Sequence, residues 1–214
     1  MLRCRKSLIN IICLSIFAST ISSYAEEDIE DLIDIAESKG KIIAIIEGRK
    51  TITLDLRPNE KVLWSGSRGY LGAFLTDLHF FVISTSSNAW RALPLWLDES
   101  GNGVASLSPY IALLVTKDRA VGFDATFNRF IETLLPIHDE LLAAKVERYV
   151  AVVITSSRAF GLAAESSAFT EIILRTSETI EALKLTYSKV TVRTSDRLLT
   201  FGTSGSTWKE HKLY

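Results

Sequence analysis

The chain has 214 residues, a nearly even balance of 24 Lys and Arg against 25 Asp and Glu, and 47% apolar residues. That composition excludes a disordered polymer, which lacks the apolar content for a core. It also excludes a nucleic-acid binder, which needs a clustered basic surface.

Residues 1–25 read as a secretory signal. Arg3, Arg5 and Lys6 form its positive start, Leu8 to Phe17 its apolar stretch, and Ser23 and Ala25 the small residues before a cut after Ala25. The apolar stretch falls short of the roughly 20 residues that a bilayer span needs, so no membrane span is expected after cleavage. Cys13 follows Asn10, Ile11 and Ile12 and lacks the small residues that precede a lipidated cysteine. Both cysteines, Cys4 and Cys13, leave with the signal, so no disulfide framework is available to the rest of the chain. The expected location is periplasmic or secreted.

Removing Arg3, Arg5 and Lys6 leaves 21 basic residues against 25 acidic ones. The excess acid sits in residues 26–40, where Ile29, Leu32, Ile33 and Ala36 are spaced by three and four and Gly40 is placed to stop a helix. This pattern predicts a short amphipathic helix whose acidic first turn suits the positive end of the helix dipole.

From residue 41 to 214 the pattern changes to short β-branched and aromatic runs separated by Ser, Gly, Asn and Asp, the signature of strands and tight turns. The runs repeat. Thr76, Thr116, Thr155 and Thr194 each end an apolar run, at intervals of 40, 39 and 39 residues. Three residues after each stand His79, Arg119, Arg158 and Arg197, and fourteen after each stand Trp90, Phe130, Phe169 and Trp208. Four aromatic hits at one offset, in a chain with 9% aromatics, have a chance of roughly one in ten thousand.

Each unit holds four candidate strands, for example Tyr110 to Val115, Arg119 to Asp124, Phe130 to Leu135 and Glu140 to Val146. The register extends backward through Lys41 to Ile46, Thr51 to Leu56 and Lys61 to Ser65. If a set starts at the fourth strand, the chain holds four complete sets and one extra hairpin.

Four-stranded units of about 39 residues resemble β-propeller blades. The resemblance implies an all-β fold, a small propeller of four or five blades over residues 41–214, with the extra hairpin completing a fifth blade or covering an edge. Separate small barrels would show the same spacing. No Gly-His and Trp-Asp pair of the WD type and no kelch pattern is present, so the resemblance carries no functional residues with it.

Few residues point to chemistry. Asp98 to Gly103 begins like a calcium loop, but its twelfth position is Pro109 where a bidentate Glu belongs, so no metal is expected. His79, His138 and His211 fall at different offsets and lack metal-ligand spacing. No nucleophile elbow, phosphate loop or dinucleotide turn occurs, and neither a cofactor nor catalysis is expected.

The candidate binding residues are His79, Arg119, Arg158 and Arg197, which would ring one end of the structure and bind an anion or acidic partner. The competing reading, which we favour, has each capping its own hairpin by pairing with an acid or carbonyl, with Asp118 and Asp196 at hand. Trp64 and Trp96 lie outside the aromatic register, near turns where a ring faces a partner or packs in the core. These observations lead to a non-catalytic exported scaffold that presents loops to an envelope protein. The alternative is a small-ligand or glycan binder, or an enzyme, working through a central channel.

Overall fold

The computed structural model describes residues 29–99 and 103–213. The expected signal, residues 1–25, and the middle of the Asp98–Gly103 loop lie outside the described residues.

The described chain forms five antiparallel sheets, each built from consecutive strands. Sheet I holds β1 (Ile33–Ser38), β2 (Lys41–Ile46) and β3 (Lys50–Asp55). Sheet II holds β4 (Val62–Arg68), β5 (Leu71–Thr76), β6 (His79–Ser84) and β7 (Arg91–Pro94). Sheet III holds β8 (Val104–Leu107), β9 (Ile111–Val115), β10 (Arg119–Asp124) and β11 (Arg129–Leu134). Sheet IV holds β12 (Leu141–Glu147), β13 (Val150–Thr155), β14 (Arg158–Ala163) and β15 (Thr170–Ile173). Sheet V holds β16 (Ile180–Thr186), β17 (Lys189–Thr194), β18 (Arg197–Gly202) and β19 (Lys209–Lys212). Each four-stranded set starts at the fourth strand of the sequence unit, as the register suggested.

The amphipathic helix expected over residues 26–40 is not formed: Ile33–Ser38 is strand β1, and residues 26–28 lie outside the described part. The three-and-four spacing coexists with an alternation at Ile33 and Ile35, and sheet pairing selects the alternation. Lys39 and Gly40, with φ of 49° and 76°, form the two-residue turn that folds β1 onto β2, from Ser38↔Lys41 to Ile33↔Ile46. Positive φ at both positions matches the twist of the flanking strands. Gly40, read as a helix stop, is a hairpin residue. A two-stranded ribbon is marginal on its own, so β1 turns the extra hairpin into a fifth sheet.

The sheets stack face to face with the first strands β4, β8, β12 and β16 of sheets II to V side by side, while β1, the counterpart of the second strands β5, β9, β13 and β17, packs against β4 and β5. Each apolar cluster joins two consecutive sheets. Ile33, Ala44 and Ile46 meet Ile83 between I and II. Leu75, Phe80, Leu114 and Phe123 share the cluster between II and III. Leu113, Ile131, Val153 and Phe160 share the one between III and IV. Val152, Ile154, Val192 and Phe201 share the one between IV and V. The central strands β5, β9, β10 and β13 are therefore buried along both faces, which explains their near-continuous apolar runs. In contrast, β2 and β17 alternate buried with exposed or half-buried residues, because sheets I and V each carry one uncovered face.

Close sheet packing fixes two glycines. A Cβ at Gly122 would meet Leu162 Cδ2 at 2.1 Å, and one at Gly161 would meet the Phe201 ring at 2.6 Å. Both are mid-strand positions where the neighbouring sheet occupies the side-chain space.

Candidate functional site

One end of the row carries the repeated Thr residues. Thr76, Thr155 and Thr194 end the second strand of their sheets and Thr116 directly follows it, and each hydroxyl accepts the N–H three residues on: 2.8 Å for Thr76 and His79, 3.2 Å for Thr116 and Arg119, 3.1 Å for Thr155 and Arg158, 3.1 Å for Thr194 and Arg197. The same hydroxyl donates to a carboxylate in the loop that leads into the sheet. Thr76 reaches Glu60 at 2.6 Å, Thr116 reaches Glu99 at 2.6 Å, Thr155 reaches Asp139 at 2.5 Å and Thr194 reaches Glu178 at 2.5 Å.

Arg119 and Arg197 complete this clamp. Arg119 holds Glu99 through Nε at 2.8 Å and Nη2 at 2.7 Å, and Arg197 holds Glu178 at 2.8 Å through each of the same two nitrogens. Their Nη1 atoms meet Glu132 at 2.6 Å and Glu210 at 2.7 Å, and their Nη2 atoms also donate to the Pro94 and Ile173 carbonyls of the preceding sheet. Two-pronged guanidinium–carboxylate pairs of this kind are among the strongest side-chain hydrogen bonds. Each Arg thus ties its own sheet to the one before it.

The other two units vary for identifiable reasons. In sheet II, His79 Nδ1 lies 2.9 Å from Glu60 in place of a guanidinium. In sheet IV the acid is Asp139, one carbon shorter. The Ser157 hydroxyl reaches Asp139 at 2.6 Å, and Arg158 swings out to Glu171 at 2.8 Å with about a third of its side chain exposed.

Burial raises the pKa of Glu178, but hydrogen bonds from Arg197, the Arg175 N–H and Thr194 outweigh it and bring the carboxyl down to about 2. The opposing effects have the same outcome at Glu60, Glu99 and Asp139, each held below its ordinary value. The hydrogen bond to Glu178 holds the Arg197 guanidinium above its usual range.

The four sequence candidates occupy equivalent positions in successive sheets but do not share a partner. Arg119 and Arg197 are buried in their clamps, His79 is largely covered, and Arg158 alone is substantially exposed. Pairing with an acid is what the favoured reading expected, although the acids are Glu99 and Glu178 rather than Asp118 and Asp196. Trp64 packs beside the cluster between sheets II and III. Trp96 is 45% exposed and lies flat under Arg119, whose Cζ is 4.4 Å from the ring centre. Glu99, one of the two acids of the calcium-like loop, is engaged by the clamp.

Sequence reasoning missed the carboxylates. The signal was present: Glu60, Asp139 and Glu178 precede their Thr by 16 residues and Glu99 by 17, and Glu132, Glu171 and Glu210 follow their Arg by 13.

The clamp end gathers most of the exposed large apolar side chains. Of the twelve large apolar or aromatic side chains exposed among the described residues, ten sit in its loops and strand ends. Leu97 is 99% exposed and Ile137 81%, at equivalent places in neighbouring inter-sheet loops. Leu63 and Leu142 are turned out by bulges at the start of β4 and β12, where the register shifts between Val62 and Trp64 and between Leu141 and Ala143.

At the opposite end the hairpins between first and second strands carry a row of tyrosines. Tyr110 lies 5.0 Å from Tyr70 and 4.6 Å from Tyr149 between ring centres. Arg148 lies over Tyr149 at 5.7 Å and over Tyr187 at 5.3 Å. Hydrogen bonds link successive sheets at this end: the N–H of Leu32, just before β1, donates to Gly69, Tyr70 N–H to Pro109, the Ser108 hydroxyl to Arg148 and Tyr149 N–H to Tyr187.

Consecutive four-stranded antiparallel sheets, stacked with their first strands side by side, define a β-propeller-like repeat protein. No protein-family model and no curated protein matches the sequence. Among solved structures, the N-terminal domain of Nup159 is similar at 7% identity and a TM-score of 0.38, over 86% of this chain and 60% of that one. The WD40 domain of SCAP from fission yeast is similar at 9% identity and a TM-score of 0.36, over 86% and 56%. PorZ of Porphyromonas gingivalis, a surface component of the type-IX secretion system, is similar at 11% identity and a TM-score of 0.41, over 86% and 27%. No helix among the described residues is long and apolar enough to cross a membrane.

Proposed function

We propose that this chain is a non-catalytic interaction scaffold of the cell envelope, exported by its N-terminal signal, that binds a protein partner through the apolar loops of its clamp end. The observation that carries the reading is the gathering of ten of the twelve exposed large apolar side chains at that end. Contiguous exposed apolar surface marks protein or membrane contacts.

The charges among those loops favour a protein. Exposed Lys61, Lys117 and Arg175 alternate with Asp98, Glu140 and Asp196, rather than forming the basic belt that recognises anionic lipid. Mixed polar groups around apolar anchors are the composition of a protein interface. The clamps hold the loops on a rigid body and engage the most perturbed acids of this end in internal bonds, leaving them no acid–base role.

The test is the double variant Leu97→Asp with Ile137→Asp. Both side chains project into solvent, so stability is expected to stay within about 0.5 kcal/mol of the parent. The yield of a partner co-purified from envelope extract is expected to fall at least about tenfold, since buried apolar anchors dominate such contacts. Unchanged recovery of that partner would refute the assignment.

A further inference from the structure

The tyrosine end carries a second feature, independent of the apolar loops. A cleft of about 530 Å³ opens there across sheets III, IV and V. Its lining residues include Tyr110 and Tyr149, the hydroxyl-bearing Thr126, Ser188 and Thr203, and the acidic Glu165. None of the side chains of Thr126, Ser188, Thr203 or Glu165 has an internal hydrogen-bond or ion-pair partner among the described residues. All four residues are exposed at the cleft.

The walls are fixed before any ligand arrives. Buried Asp124 on sheet III accepts the Glu165 N–H of sheet IV, as well as the Phe127 N–H at 2.8 Å. The Thr170 hydroxyl of sheet IV donates to the Ser206 carbonyl of sheet V at 2.7 Å, and Tyr149 N–H donates to Tyr187 at 2.8 Å. Glu165 and Ser206 both adopt left-handed backbone, with φ of 66° and 46°. That conformation is uncommon for residues other than glycine and persists where surrounding contacts impose it.

We propose that this cleft binds a neutral saccharide. Its lining combines what a polyhydroxylated ring needs: unpaired hydroxyls that both donate and accept, a carboxylate that accepts, and the stacked Tyr110–Tyr149 pair as a fixed aromatic wall. Other ligand classes fit poorly. No cation lines the cleft, and Glu165 opposes an anion. An apolar ligand would leave the hydroxyls unpaired, at about 1–3 kcal/mol for each one buried. Burial and hydrogen bonds with the neighbouring Tyr149 and Tyr70 hold the Tyr110 phenol above its ordinary pKa.

The test is calorimetric titration of the full chain with neutral oligosaccharides built from glucose, mannose, galactose or N-acetylglucosamine, and with pyrophosphate as the anionic comparison. At least one neutral oligosaccharide is expected to bind with a Kd of about 1 mM or tighter. Glu165→Gln, at an exposed position, and Tyr149→Ala are each expected to weaken it about tenfold or more. Tyr149→Phe should retain more affinity than Tyr149→Ala, because the ring is kept.

Retention on the matching insoluble polysaccharide would identify a polymer as the source, and binding of the oligosaccharide alone a free sugar. Failure of every neutral oligosaccharide to bind the folded chain would overturn the proposal. So would tighter binding of pyrophosphate, or saccharide binding that neither Glu165→Gln nor Tyr149→Ala alters.

Discussion

Replacing Glu178 with alanine is expected to destabilise the protein by about 3–5 kcal/mol, because it leaves the Arg197 guanidinium buried without its main partner. The Glu178 side chain is fully covered, and that of Arg197 is 5% exposed. The change also removes the acceptor of the Arg175 N–H and one of the two acceptors of the Thr194 hydroxyl, which keeps the Arg197 carbonyl at 2.9 Å. For a chain of this size the thermal midpoint should fall by about 6–20 °C. The same carboxylate sets an acid limit. Its folded pKa of about 2 lies below the 4.5 of an ordinary glutamate, so the unfolded chain takes up the proton first. The contribution is therefore present above about pH 4.5 and is lost as pH falls toward 2. Urea denaturation from pH 7 to pH 3 should show a steeper loss for the parent than for Glu178→Ala. Equal slopes would show that Glu178 titrates alike in both states.

Phe160→Ala is the second large effect, also about 3–5 kcal/mol, from lost transfer energy and the cavity left behind. Phe160 is 1% exposed, in the cluster that joins sheets III and IV. Because each cluster joins only consecutive sheets, this change loosens the middle of the row, whereas the Leu97→Asp variant should leave the denaturation midpoint almost unmoved. A loss below about 1 kcal/mol on chemical denaturation would contradict the view that these clusters hold the sheets together.

Most of the body was legible in the sequence, because its repeat is written in residues that do the same physical task in each sheet. The Thr series marks the end of a second strand, and the aromatic series packs onto the clusters between sheets, Phe130 between II and III, Phe169 between III and IV and Trp208 between IV and V. The clamp was only half legible. Thr and Arg lie three residues apart on one hairpin, whereas their carboxylate lies in the preceding inter-sheet loop, at an offset changed by one residue at Glu99. The substitution of Asp139 in sheet IV further obscured the series.

Strand β1 was misread for a different reason. Within residues 29–36 an apolar pattern spaced by three and four overlaps an alternating one, and only pairing with β2 decides between them. The apolar end was not legible at all. Leu97, Ile137 and Ile173 resemble core residues by type, and their exposure follows from where the loops and strand ends stand on the folded row.

The central claim, that the apolar loops of the clamp end form the docking surface, is tested most directly by site-specific photo-crosslinking. A photoreactive amino acid would be placed in turn at Leu97, at Ile137 and, as a comparison, at exposed Lys184 on the uncovered side of sheet V. The account predicts that positions 97 and 137 capture the same protein and that position 184 does not. Adducts absent from both loops, or identical at all three positions, would contradict it.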